Sequence, residues 1–249
     1  MDIDIWKRTV VLVADDNKVA SLEHDDKGLD LLNNEEVTII PMREAGSFLD
    51  KYSIASSSRI RPGMLLIISP FDDNKYLEIE NVKSLVAIQK MSLISRLSFL
   101  LGAKSLYVNE IKIKDIESSQ ELSFNAEKGE INGELKAERK VIEKMKNEIT
   151  LTSNFKGGKP NIKKAEGLLN DNRLSSDIFL KNLFETVKDS EDTDNEVKKV
   201  TQEICITQSL EKTFELVATL KLEALNIKSG FKTSKKTSTE IYLNLTIEF

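Results

Sequence analysis

The stretch EIYLNLTIEF, residues 240–249, places an apolar side chain at every second position: Ile241, Leu243, Leu245, Ile247 and Phe249. Such an alternation segregates onto one face only in an extended strand, because strand side chains repeat with period two and helical ones with period 3.6. One face of this segment therefore needs cover from a core, a partner or lipid. Tyr242, Asn244 and Thr246 fall on the opposite face. The same alternation runs backwards through Phe214, Leu216, Ala218, Leu220 and Leu222, and then shifts parity to Leu225, Ile227 and Phe231. A bulge near Ala224 accounts for the shift. The expectation is a long antiparallel hairpin, Lys212 to Ile227 against Thr239 to Phe249, with SGFKTSKKTST at its tip. Lys228, Lys232, Lys235 and Lys236 make that tip the most basic place in a chain of net charge -5.

Earlier segments supply further strands. TVVLVA (Thr9 to Ala14) is a β-branched run that ends in the Asp15-Asp16-Asn17 cluster, read as a turn. VTIIPM carries Pro41, which donates no ladder hydrogen bond and suits an edge or a strand end. MLLIIS is closed by Pro70 and an expected turn at Asp72-Asp73-Asn74, and SLYVNEIKIKD alternates with a shift that signals a bulge. ELSFNAEKGEINGEL reads as a hairpin around Lys128-Gly129.

Helical spacing appears elsewhere. Leu85, Ile88, Met91, Ile94, Leu97 and Leu101 recur at steps of three and four, with Gly102 where a C-terminal cap belongs and Lys83, Ser84, Gln89 and Lys90 assigned to the opposite face. KAERKVIEKMKNE, KKAEGLL and SSDIFLKNLFETVK are further helix formers, the last capped by Ser175 or Ser176 and turning Ile178, Phe179, Leu183, Phe184 and Val187 inward. Together these predict an α+β fold, mainly antiparallel sheet with helices packed on it. Two subdomains are expected, an α/β-type one over residues 1–117 and an α+β one over 118–249. A chain of 249 residues with 40% hydrophobic content can bury cores of that size.

Chemistry is bounded by two scarce residues. Any Ser-His-Asp triad, Cys-His pair or histidine-rich zinc site has to run through His24 or Cys205, since there is one histidine and one cysteine. His24 lies in the polar stretch SLEHDDKG, where Glu23, His24, Asp25 and Asp26 cannot all face one point without outside ligands; a solvated turn is expected. Cys205, between Ile204 and Ile206, reads as a small buried hydrophobe, and a single cysteine forms no intramolecular disulfide. FKGGKPN lacks the G-x-x-x-x-G-K-[ST] spacing of a phosphate-binding loop. No catalytic, cofactor-binding or metal-binding residues are assigned.

VVLVADDN (Val10 to Asn17) resembles the first strand and acidic pair of response-regulator receiver domains. That resemblance implies clustered carboxylates holding magnesium beside an aspartate at the end of a later apolar strand. The matching strand here, MLLIISPF, ends in Ser69 and Pro70 with Asp72 beyond them, so the family's nucleophile has no counterpart. The terminal alternation also resembles the last strand of outer-membrane barrels, but several helices and no succession of similar strands accompany it.

The acidic balance and an aromatic content of 6% disfavour nucleic-acid binding, although Arg59, Arg61 and the basic tip offer local positive charge. MDIDIWKRTVVLVADD is too acidic and too short in its apolar run for a secretory leader, and LVAIQKMSLISRLSFLLG carries Lys90 and Arg96 within it. A cytoplasmic location is expected. The functional expectation is a non-enzymatic assembly or partner-binding protein that pairs with another protein or itself through sheet edges or the C-terminal hairpin. The candidate residues are Lys228, Lys232, Lys235, Lys236, Tyr242, Asn244 and Thr246. The alternative is a soluble pore-former that releases amphipathic hairpins into a membrane after a conformational change and oligomerisation.

Overall fold

A computed structural model of the chain describes residues 6–22, 24, 26–55, 59–115, 120–123, 143, 152–172, 174, 177–191, 196–220 and 239–249. The fold is α+β, with one mixed and one antiparallel sheet. Two contact units are each assembled from separate stretches of chain: Met1–Leu85 with Ser209–Ser238, and Val86–Gln208 with Thr239–Phe249. This grouping runs differently from a cut at 117/118.

In the first unit the strands are β1 (Val10–Ala14), β2 (Val37–Pro41), β3 (Ser53–Ala55), β4 (Leu65–Ser69) and β5 (Asp72–Glu78), in the order β2-β1-β4-β5-β3. The β-branched run of β1 is wholly buried at the sheet's interior, as its sequence predicts. Pro41 ends β2, which is an edge strand parallel to β1. Val11, Val13, Ile40, Phe48, Tyr52, Met64, Leu66 and Tyr76 form one buried cluster of this unit, while Val10, Leu12, Ile67 and Leu77, of opposite parity along the same strands, are buried as well. Within the cluster the Tyr76 hydroxyl has its one proton shared between the carbonyls of Trp6 (3.1 Å) and Arg8 (2.9 Å) and accepts from the Arg8 N–H (3.2 Å), so its polar atom is satisfied despite burial.

Three local expectations change here. Asp15-Asp16-Asn17 opens α1 (Asp16–Leu22), because the Asp15 carbonyl accepts from Lys18 and Val19 N–H. The residues Asp72-Asp73-Asn74 begin β5, whose pairing with β4 continues to Glu78. The third concerns Phe214: Phe214 and Val217 are buried on α7 (Glu211–Thr219), at helical spacing from the buried Leu210 just before it, so this segment is no hairpin arm. Of the described even-numbered apolar residues that suggest a strand, only Phe214 is buried, and its spacing to Leu210 and Val217, four and three residues away, is that of a helix face. The short helices α2 (Asp26–Leu32) and α3 (Ala45–Lys51) complete the described elements of this unit.

Helix α4 (Val82–Leu100) carries the chain from one unit into the other. It ends where Gly102, at φ +84°, donates its N–H to the Phe99 carbonyl while Ala103 donates to Ser98. A Cβ at Gly102 would lie 2.2 Å from the Gly158 carbonyl oxygen, so glycine is required for backbone approach as well as for the turn.

The second unit holds β6 (Ser105–Asp115), β7 (Gln120–Ser123), β8 (Thr152–Asn154), β9 (Lys199–Cys205) and β10 (Thr239–Glu248), in the order β7-β6-β10-β9 with β8 also on β6. All described pairs here are antiparallel. Ile241, Leu243, Leu245 and Ile247 are buried to within 1% of complete, so the terminal alternation does pack one face on a core. The strand that carries it lies inside the sheet, between β6 and β9, and is not an edge. The β6 bulge is present too, between the partners of Asn244 and Leu245. Helices α5 (Ile162–Asp171) and α6 (Ile178–Glu191) belong to this unit, α5 capped by the Asn161 side chain. Asp177 caps α6 by accepting from Leu180 N–H at 3.2 Å, while Ser175 and Ser176 lie outside the described residues, and Ile178 is 73% exposed rather than inward. The expected arm of the terminal hairpin beyond Leu220, the helix at KAERKVIEKMKNE apart from Glu143, and the rest of the ELSFNAEKGEINGEL hairpin after Ser123 lie outside the described residues.

Candidate functional site

Antiparallel registry decides which side chains share a face. Tyr242 faces Lys112 and Cys205, Asn244 faces Glu110 and Glu203, and Thr246 faces Tyr107 and Thr201. The polar side of β10 is thus the middle column of a polar sheet face. Its apolar side, continued by Leu106, Ile111, Ile113 and Ile204, is buried.

Two networks fill the polar face. At one end the bulge residue Asn109 donates from Nδ2 to Asn244 Oδ1 at 3.0 Å and to Thr246 Oγ1 at 2.8 Å, and Thr246 meets Thr201 hydroxyl to hydroxyl at 3.0 Å. At the other, Lys112 Nζ lies 3.2 Å from Glu203 and 3.5 Å from Glu110, while Lys114 Nζ lies 3.6 Å from Glu203. Lys114 also sits 4.2 Å from the centre of the Tyr242 ring, a cation–π contact. The hydrogen bond from Lys112 holds the Glu203 carboxyl below its ordinary range, with the charges of Lys112 and Lys114 adding to it. Tyr242 goes the other way: its hydroxyl donates to Glu240 Oε2 at 2.5 Å, and that bond first, then burial, then Cys205, raise its ionisation above the ordinary phenol range. Glu203 as an anion and Tyr242 as a neutral donor are the ordinary states of these groups at neutral pH, and the two shifts move each further from titrating there.

The sequence-based candidates separate on this map. Tyr242, Asn244 and Thr246 are brought together, although each is engaged with neighbours and Thr246 is buried. Lys228, Lys232, Lys235 and Lys236 lie outside the described residues. Asn109, Lys112, Lys114, Thr201 and Glu203 were not among the candidates; their signal is the odd or even parity of β6 and β9, which becomes informative only once the neighbours of β10 are known. Cys205 is half-buried on the polar face, 3.7 Å from Thr207 Oγ1, because the alternation that buries Ile204 turns its neighbour outward.

Other places with chemical residues resolve into structural roles. His24 is exposed in a turn, Glu23 and Asp25 lie outside the described residues, and among the described residues no group of three or more His, Cys, Asp or Glu side chains is placed to hold a metal ion. Asp16 accepts from the Arg43 N–H at 3.3 Å. The receiver-domain resemblance ends at the topology: that fold's sheet is parallel, whereas β4 runs antiparallel beside β1, and Ile68 donates to the Thr9 carbonyl. Ser69 therefore lies at the opposite end of the sheet from Asp15 and Asp16. Arg61, one of the local positive charges weighed for nucleic-acid binding, sits 3.7 Å from the buried Glu78. Among the described residues no helix is long and apolar enough to cross a membrane.

The outer side of β9 is the remaining feature. Phe249 N–H donates to the Lys198 carbonyl and Ile206 N–H to the Ile241 carbonyl, so the even-numbered residues of β9 direct their backbone groups to β10. By alternation Lys199, Thr201, Glu203 and Cys205 direct theirs away from it. Among the described residues no strand pairs with that side. Comparison with protein-family models, with curated proteins and with solved structures found no match to this chain.

Proposed function

We propose that this protein is a non-enzymatic assembly or partner-binding component that works by adding a partner's strand to the outer edge of β9. The observation that carries the proposal is the outward row of backbone groups at Lys199, Thr201, Glu203 and Cys205. Strand addition draws its affinity from main-chain hydrogen bonds and its selectivity from the side chains beside them. Lys199, Thr201, Gln202 and Glu203 along this edge are exposed, and the Glu203 carboxylate is paired with Lys112 and Lys114 on the polar face beside it. The reading moves the interacting strand from β10, where the sequence placed it, to the neighbour that covers β10.

The test is photo-crosslinking in cells from a benzoylphenylalanine introduced at Gln202, an exposed edge position. A discrete adduct, lost when Thr201→Pro removes the central outward N–H, is the expected result. No adduct at any expression level would sink the edge reading.

A further inference from the structure

We infer that the strand added to β9 is β9 of a second copy of this chain, antiparallel about a two-fold axis through Thr201, with Lys199 opposite the partner's Glu203. The inference rests on the edge reading and goes further by naming the occupant and its register. A two-fold pairing of identical strands joins outward-directed residues to outward-directed residues, which restricts the registers to those matching odd-numbered positions with odd-numbered ones. Centred on Thr201, the pairing sets Lys199 against the partner's Glu203 twice, once from each side. Centred on Gln202, it sets Lys199 against the partner's Cys205 and Thr201 against the partner's Glu203. Centred on Glu203, it brings the two Glu203 carboxylates face to face.

Directly opposed unlike charges favour a strand pair and like charges oppose it. The Thr201-centred register therefore wins on charge. Glu203 is prepared for this contact. Its carboxylate is positioned by Lys112 at 3.2 Å and Lys114 at 3.6 Å, yet a carboxylate offers about four acceptor sites, enough for a third ammonium. Lys199, whose side chain is 59% exposed, lies 3.9 Å from Glu248 at the far limit of an ion pair and has freedom to reach across. A foreign strand would need to reproduce this charge order, whereas the chain supplies it to itself.

The experiment uses the full chain in analytical ultracentrifugation from micromolar to millimolar concentration. The parent is expected to dimerise. Lys199→Glu and Glu203→Lys, each checked for native circular dichroism, should each weaken self-association about tenfold or more, since each turns two attractive pairs into repulsive ones. Mixed in equal amounts, the two variants should regain a dimer, because in the heterodimer every opposed pair is again of unlike charge. A second measurement avoids the charges altogether: Thr201→Cys in a Cys205→Ser background places the new thiols across the axis, where Cα atoms about 5.5 Å apart permit a disulfide. Air oxidation should yield a covalent dimer. A monomeric parent, a mixture that stays monomeric, or a Thr201→Cys chain that does not cross-link would overturn the inference. A crosslink from Gln202 to a foreign protein, with the parent monomeric, would overturn self-pairing while leaving the edge reading in place; absence of any crosslink would remove both.

Discussion

Lys90 illustrates what a single side chain costs when a helix is buried on more than one side. Its ammonium, with a side chain only 6% exposed, is 2.6 Å from Asp177 Oδ2, and Asp177 uses its other oxygen to cap α6 through Leu180 N–H. Asp177→Ala removes a cap worth about 0.5–2 kcal/mol and also strands a buried cation, for which breaking a pair costs about 3–5 kcal/mol. The stranded cation outweighs the lost cap, so this variant should show a clear fall in urea midpoint. Lys90→Met should lose less, because an apolar side chain of similar length suits the site and the carboxylate keeps its capping bond. A second residue-level prediction concerns pH. The hydrogen bond to Glu240, followed by burial, raises the Tyr242 phenol above its ordinary range. On alkalinisation the unfolded chain releases this proton first, near pH 10, so the folded state binds more protons and stability falls as pH rises beyond that point. Tyr242→Phe should flatten that fall in denaturation curves taken between about pH 9 and pH 11. Glu203 has the opposite sign: its lowered carboxyl, held first by the Lys112 hydrogen bond, contributes stability above the unfolded value that is lost as pH drops through the acid range. Glu203→Gln should remove that acid-side dependence.

Elements were legible from sequence wherever local pattern and tertiary demand agreed. The buried run of β1, the Pro41-terminated edge of β2, the glycine-capped α4, the bulged β6 and the alternating β10 all lie where their residues place them. The failures have a common physical cause, which is that the deciding partner is distant in sequence. Lys83 and Lys90 look like a solvated face of α4, yet both are buried, Lys83 beside the Phe214 ring at 5.8 Å and Lys90 against Asp177. Within the candidate site, parity placed Tyr242, Asn244 and Thr246 on one face, but their environment comes from Asn109, Lys112 and Glu203 on strands more than thirty residues away. No local signal names those neighbours. The misread segment at Phe214 permits a direct check. If Glu211–Thr219 is helical, exposed Glu215 lies mid-helix, and Glu215→Pro should cost roughly 3 kcal/mol by removing a backbone bond and clashing with the preceding turn. Glu215→Ala should be neutral or slightly stabilising, since alanine is the best helix former. Were the segment a strand, alanine would be the unfavourable choice. Thermal melts of the two variants separate these outcomes.

At the scale of the molecule, the chain order matters more than any one contact. Each contact unit draws on early and late sequence, and the second receives its middle strand last, from Thr239–Phe249. β10 pairs with β6 over nearly its whole length and with β9 from Tyr242 to Glu248, so the antiparallel sheet has no continuous ladder without it. Four of its side chains, Ile241, Leu243, Leu245 and Ile247, are essentially inaccessible to solvent. At about 1.5–3 kcal/mol for each fully buried aliphatic side chain, their loss is comparable to the roughly 5–15 kcal/mol that separates a folded domain from its unfolded ensemble. A chain ending at Ser238 should therefore leave Leu106, Ile111, Ile113 and Ile204 uncovered and fail to form the second sheet. Increased binding of a hydrophobic dye, with loss of amide protection across Ser105–Asp115 and Lys199–Cys205 in hydrogen exchange, is the expected result. Addition of a synthetic peptide of residues 239–249 should restore protection in both strands together, because one strand supplies hydrogen bonds to each. Protection returning in β6 alone would show that the β9 pairing, and with it the edge of the proposed association, is not built on β10.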